Sequence, residues 1–140
     1  MDNPKSTIEF RLNSRSAIPA YMQIVQQVRQ ALRLGFLVIG DQLPTVREVV
    51  SKIAINPNTV FKAYRELEME GLVESRQGLG TFIVRTLADD SISHHNALRT
   101  KLVDWIQESR AAGLDDESIE ALYYSVVQEL EPETHHDRSN

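Results

Sequence analysis

Cysteine is absent from this 140-residue chain, which removes disulfide frameworks, thiolate zinc sites and cysteine nucleophiles together. No apolar run approaches the roughly 18 residues that a membrane span needs, so no membrane partner is expected. The opening Met1-Asp2-Asn3-Pro4-Lys5 lacks the charged-then-apolar layout of an export signal, and the default expectation is a cytoplasmic protein. Internal repeats and low-complexity tracts are missing too. What is present is 41% hydrophobic and 25% charged residues, the composition of a soluble globular protein of one domain, or of a small domain with an appendage. A chain of this size buries roughly two-thirds of its unfolded surface, enough for a core.

A positive excess is missing as well: the formal net charge is −5, which taken alone argues against a nucleic-acid binder. The average hides a split. Residues 1–87 carry eleven Lys/Arg against eight Asp/Glu, a balance of +3, and residues 88–140 carry four against twelve, a balance of −8. Such asymmetry points to an anion-binding front and a separate acidic back.

The pattern along the chain gives these halves their elements. Apolar residues alternate in Ile8-Glu9-Phe10-Arg11-Leu12, which predicts a short strand or an extended arm that packs one face. Tyr21, Ile24, Val25, Val28 and Leu32 fall at steps of three and four, which predicts an amphipathic helix opened by Pro19 near its first position and stopped by Gly35. A connector with Gly40-Asp41 and Pro44 as breakers follows. Thr45-Val46-Arg47-Glu48 is a Thr-x-x-Glu capping box that starts a short helix with Val46, Val49, Val50 and Ile53 on its apolar face. Asn56 suits the N-cap and Pro57 the first turn of the next helix, which runs through Val60, Ala63, Tyr64 and Leu67 to Gly71. Two helices across a turn of about three residues are a helix-turn-helix unit. The β-prone runs Leu72–Arg76 and Gly80–Val84 flank Gln77-Gly78-Leu79 and predict a hairpin. A helix-turn-helix followed by a hairpin is a winged helix.

This order carries chemistry. The second helix of such a unit fits the major groove with its leading residues at base edges. Here that helix offers Asn56, Asn58, Thr59, Lys62 and Arg65. Asn58 can bond adenine at two points, and the methyl of Thr59 can touch that of thymine. Lys62 and Arg65 suit phosphate or groove-edge contacts. Thr45 and Arg47, at the start of the preceding helix, are placed for a phosphate clamp or a base. The wing, Arg76-Gln77-Gly78-Leu79-Gly80, brings a glycine-rich backbone close to phosphates or into the minor groove. Taken singly, each basic residue is most simply solvated and each glycine most simply a cap or turn residue. The joint arrangement is what is specific.

Those residues carry a family resemblance. Leu43-Pro44-Thr45-Val46-Arg47-Glu48, Asn56-Pro57-Asn58-Thr59-Val60, Leu67-Glu68-Met69-Glu70-Gly71-Leu72-Val73 and Gln77-Gly78-Leu79-Gly80-Thr81-Phe82 resemble the winged helix of the GntR family. Pro19 to Ile24 extends the likeness, which covers roughly residues 8–86. The Asn-Pro-Asn-Thr-Val start and the short helical tail resemble its YtrA-like subfamily. The resemblance implies a dimeric bacterial transcription regulator, usually a repressor, acting on an inverted-repeat operator. It carries DNA contacts onto Arg47, Asn58, Thr59, Lys62, Gln77 and Gly78. The chain departs from the family where arginines often stand, at Pro57 and Phe61, so a paired-arginine guanine readout is missing. It also has Val50 for a small residue and Ala54 for the turn glycine. An alanine in a left-handed conformation costs about 1–2 kcal/mol, so the turn either avoids that conformation or is strained.

After the wing, residues 86–96 read as a linker or helix lead-in. Leu98, Leu102, Trp105 and Ile106 mark a helix that Gly113 ends. Asp115-Asp116-Glu117 opens a last helix with Ile119, Leu122, Tyr123, Val126 and Leu130 on one face, ended by Pro132. Two helices in about fifty residues cannot enclose an ordinary ligand chamber, nor bury these side chains without a partner surface. The expected partner is the same module of a second chain, in a twofold four-helix arrangement; the alternative is packing back on the winged domain. No catalytic motif, metal site or cofactor is expected: His94-His95 and His135-His136 are adjacent pairs that do not face one way on a helix.

The expected fold is mainly α with a small β-hairpin wing. It comprises a winged helix-turn-helix domain with its N-terminal arm over 1–86, an antiparallel helical dimerisation module over 87–132 and a flexible tail over 133–140. The expected function is sequence-specific binding to a double-stranded DNA operator as a homodimer. A winged-helix protein-interaction module without specific DNA binding is the runner-up, and an enzyme is not expected. The operator, the regulated genes, the effector and the sign of regulation are not legible in the sequence.

Overall fold

Pro19 has no N–H to place in a helix, and the first helix begins immediately after it. The computed structural model describes residues 8–88 and 95–132. The expected tail at 133–140, most of the expected linker, His94 and the pair His135-His136 lie outside the described residues. The chain divides into two compact units, Met1–Ile92 and Ser93–Asn140.

The first unit is built from α1 (Ala20–Arg33), α2 (Val46–Ile53), α3 (Pro57–Met69), β1 (Val73–Arg76) and β2 (Gly80–Ile83). Pro19 is the N-cap of α1, one position earlier than the sequence predicts, and its carbonyl accepts from the amides of Met22 and Gln23. Ile24, Val25, Val28 and Leu32 of α1 are buried with Val49 of α2, Val60, Ala63 and Leu67 of α3, and Leu72, Val73 and Ile83 of the wing. Every element therefore leans on one core, with α3 packed against α1, α2 and β1.

Residues 8–12 adopt the arm form of the two predicted alternatives. Phe10 is buried, and Ile8 and Leu12 pack on the core. No strand forms because the arm's amides and carbonyls find side chains instead. The amide of Arg11 donates to Gln27 Oε1 at 3.0 Å, and Gln27 Nε2 donates back to the Arg11 carbonyl at 2.7 Å. Gln23, one turn earlier, does the same for Asn13 at 2.8 and 3.1 Å. Two glutamines at i and i+4 thus present the edge of a ladder from a helix surface.

The capping box is formed: the amide of Glu48 donates to Thr45 Oγ1 at 3.0 Å, and the amide of Thr45 to Glu48 Oε1 at 2.9 Å. The turn after α2 takes the strained alternative. Ala54 is left-handed, at φ 53° and ψ 48°, and among the described residues no other non-glycine residue has a positive φ. At the end of α3, Gly71 takes φ 80°, and the amide of Leu72 reaches back to the carbonyl of Leu67 at 3.1 Å, the six-to-one closure that needs such a residue.

The hairpin pairs Val73 with Ile83 through Arg76 with Gly80. The connector before α2 joins this ribbon. The amide of Leu43 donates to Thr81, that of Ile83 to Asp41 and that of Gly40 to Ile83, at 2.9, 2.8 and 2.9 Å, and Gln42 bridges to Phe82. The turn-bearing connector that the sequence predicts thus runs alongside β2, held by these bonds and a single bridge.

The second unit holds α4 (Asn96–Ala111) and α5 (Asp116–Glu129), packed on each other across a four-residue connection. Asp115 is the N-cap and not a first-turn residue: its carboxylate accepts the Ser118 amide at 2.8 Å, which holds its pKa below the usual carboxylate range. α5 ends at Glu129, before Pro132 is reached.

Candidate nucleic-acid interface

The burial of Val60, Ala63, Tyr64 and Leu67 fixes the orientation of α3. Helical geometry then puts Asn58, Phe61, Lys62 and Arg65 on the opposite, exposed side. Asn56 caps this helix by accepting the Asn58 amide at 2.8 Å; its amide NH2 stays available. Thr59, one step around, is half-buried, so its methyl is a poorer candidate for a base contact than its position in the sequence implies. Arg47 is exposed in the first turn of α2, and among the described residues neither it nor Arg65 has an ion-pair partner. Thr45 Oγ1 is committed as an acceptor in the capping box, which leaves its hydroxyl proton to donate.

Lys62 is held. Its Nζ lies 4.2 Å from the centre of the Tyr21 ring, in the first turn of α1. A cation over an aromatic face is attracted by the ring quadrupole, so the ammonium is steered while remaining exposed. Arg76 is restrained likewise, 4.7 Å over the Phe82 ring and 3.4 Å from Glu74 Oε1. Gln77 and Gly78 form the exposed tip of the wing with Leu79, and the turn is closed by the Leu79 amide on the Arg76 carbonyl at 2.9 Å.

Two residues outside the predicted set of DNA contacts hold this geometry. Gln42 Nε2 donates to the carbonyl of Leu79 at 3.0 Å, bracing the wing tip from the connector. A side chain at Gly80 would collide with the Gln42 amide. Tyr64 donates its hydroxyl to the Pro44 carbonyl at 2.7 Å, tying α3 to the residue before the α2 cap. Burial, with a contribution from the nearby Glu48 carboxylate, pushes the Tyr64 phenol above its ordinary pKa, so it remains a donor. Between these elements lies an open groove of about 320 Å³, bounded by Thr45 at α2, Phe61, Arg65 and Glu68 on α3, and Ser75 and Thr81 on the wing.

The second unit presents the other predicted set. Trp105 and Ile106 are half-buried, while Leu98, Leu102, Leu122, Tyr123, Val126 and Leu130 are exposed, Leu98 by 59% and Leu130 by 74%. Only Ile119 and Ser109 are buried in this unit among the described residues.

The profile of the bacterial regulatory proteins of the gntR family matches residues 20–83. The chain is 37% identical over 114 residues to the HTH-type transcriptional repressor YtrA of Bacillus subtilis, a match spanning 79% of this chain and 85% of that one. The chain belongs to the GntR family. Within it, the likeness to YtrA places it in the YtrA-like group, and it is a DNA-binding transcription regulator. A second relative, the HTH-type transcriptional regulator Rv1152 of Mycobacterium tuberculosis, is 36% identical over 105 residues, which is 75% of this chain and 83% of that protein.

Solved structures agree with this placement of the GntR protein. A transcriptional antiterminator from Listeria monocytogenes superposes with a TM-score of 0.56 at 35% identity, covering 89% of this chain and 93% of that one. YtrA from Sulfolobus acidocaldarius, a GntR-family transcription factor, gives 0.51 at 26% identity, covering 69% and 99%. The relatives are transcription regulators and not enzymes. Among the described residues of the GntR chain no group of three or more His, Asp or Glu side chains could hold a metal ion, and no helix is long and apolar enough to cross a membrane.

Proposed function

We propose that this regulator is a cytoplasmic repressor that acts as a homodimer on an inverted-repeat operator. Each α3 enters the major groove and each wing grips the adjacent backbone. Asn58, Lys62 and Arg65 form the reading face, assisted by Thr45, Arg47, Asn56 and Thr59 at the helix starts and by Arg76, Gln77 and Gly78 on the wing. The observation that carries this reading is the exposed face of α3. It combines an amide and two cations, none of them neutralised by a carboxylate among the described residues, on a helix whose other side is locked into the core.

The dimer reading rests on the second unit. Eight large apolar side chains on α4 and α5, and Leu130 just beyond α5, are exposed among the described residues, and exposed apolar surface on this scale marks an interaction site. A second copy of the hairpin is the self-complementary cover that closed twofold symmetry supplies. Eight acidic against three basic side chains in residues 95–132 would be repelled by phosphates, which favours a place for this unit away from the duplex.

The test joins sedimentation with fluorescence anisotropy on duplexes enriched from a random library. The expected result is two chains per duplex. Combined Arg47→Ala and Lys62→Ala should abolish tight binding, and Leu122→Asp with Val126→Asp should yield a monomer of much lower affinity. A double-aspartate variant that remains dimeric would refute the assembly. Unchanged affinity of the Arg47/Lys62 variant would refute the reading face.

A further inference from the structure

We infer that Phe61 is a specificity-determining residue that reads the 5-methyl group of a thymine in each half-site. The inference rests on the major-groove reading proposed above and names one of its base contacts. Phe61 lies four residues before Arg65 and three after Asn58, so the three side chains are neighbours on the helix surface. It is 50% exposed, yet it stands on the reading face and not on the core side defined by Val60, Ala63, Tyr64 and Leu67. It lines the groove between α3 and the wing together with Pro44, Val46 and Tyr64, beside the polar side chains of Arg65 and Glu68, and of these apolar side chains it alone belongs to the exposed face of α3.

A phenylalanine ring has no hydrogen bond to offer a base edge. The thymine methyl is the one apolar feature that the major groove displays, so a ring held at that depth discriminates by covering a methyl and by leaving unpaired any polar edge put in its place. Thr59, the other side chain able to make such a contact, is half-buried on a different side of α3, which leaves Phe61 as the apolar reader. Burial of one methyl group corresponds to about fourfold in affinity for each half-site.

The wild-type chain, Phe61→Ala and Phe61→Leu are each used to enrich duplexes from one randomised library. The wild type should enrich a motif with an invariant thymine. Phe61→Ala should enrich the same motif with that position relaxed, and Phe61→Leu should retain it in part. Thermal melts of the three should coincide, because the side chain is outside the core. In the enriched wild-type duplex, deoxyuridine at that position should weaken wild-type binding about fourfold per half-site and leave Phe61→Ala binding unchanged. An identical motif for Phe61→Ala, or equal wild-type affinity for the thymine and uracil duplexes, would overturn the assignment and leave the regulator reading intact. A wild-type enrichment that yields no motif would overturn both.

Discussion

Replacing Ala54 by glycine should make this protein more stable, against the usual expectation for putting glycine at the end of a helix. Ala54 sits at φ 53° and ψ 48°, where the clash of a Cβ with the backbone costs about 1–2 kcal/mol. Glycine removes that clash but adds backbone freedom to the unfolded chain, a cost of about 0.5–1 kcal/mol. The difference favours glycine by about 0.5–1 kcal/mol. Nothing is lost in exchange: the alanine side chain is exposed, and its amide bond to the Val50 carbonyl at 3.0 Å is made by the backbone. For a cooperative unit of this size that gain raises Tm by about 3–6 °C. The assay is thermal unfolding of the full chain followed by helical circular dichroism, with Ala54→Val as the control of opposite sign, since a β-branched residue tolerates the left-handed region less well. Operator affinity should not change, because the turn geometry is preserved. A Tm that is unaltered or lowered in Ala54→Gly would show that the turn carries no strain.

Two further outcomes follow from side-chain contacts. Tyr64→Phe should cost about 1–3 kcal/mol in denaturant unfolding, because the buried Pro44 carbonyl loses its donor; a cost well below that would mean water takes the place of the hydroxyl. Lys62→Ala should weaken operator binding and lower its dependence on log salt by about one unit, whereas Tyr21→Leu, which removes only the steering ring, should weaken binding a few-fold and leave the salt dependence unchanged. Equal salt slopes for the wild type and Lys62→Ala would place Lys62 off the phosphates.

The parts of this fold that could be read in the sequence are those whose cause is local. Thr45 with Glu48, and Asn56 with Pro57, specify helix starts by chemistry confined to three or four residues, and both caps form as the sequence predicts. Ala54 was legible as a choice between an avoided left-handed turn and a strained one, because an alanine stands where the family it resembles has a turn glycine, and only the structure shows that the strained form is taken. What could not be read depends on contacts distant in sequence. Gln42 supports the wing tip across 37 positions and Gln27 completes the arm across 16; in the sequence either glutamine looks like any solvated amide. Tyr21 shows only as an apolar position of α1, and its place beneath Lys62 emerges once α1 and α3 are packed. The candidate site was legible as a set of residue types on one helix. Which members are restrained, as Lys62 and Arg76 are, or turned partly inward, as Thr59 is, was not.

The pairing of the 40–43 connector with β2 bears on how this protein can yield to a duplex. A two-stranded ribbon on its own is a loose flap, and gripping a phosphate backbone with it would forfeit the motional freedom it had beforehand. Here the ribbon is stitched along one side to the segment that runs directly into Thr45 and α2. Tilting the wing therefore drags the start of the helix-turn-helix with it, and on the proposed docking the wing and α3 would meet DNA as a single lever of fixed angle. Such a lever would lose little entropy on docking, and it would accommodate an operator of different groove spacing by bending the duplex sooner than by folding the wing aside.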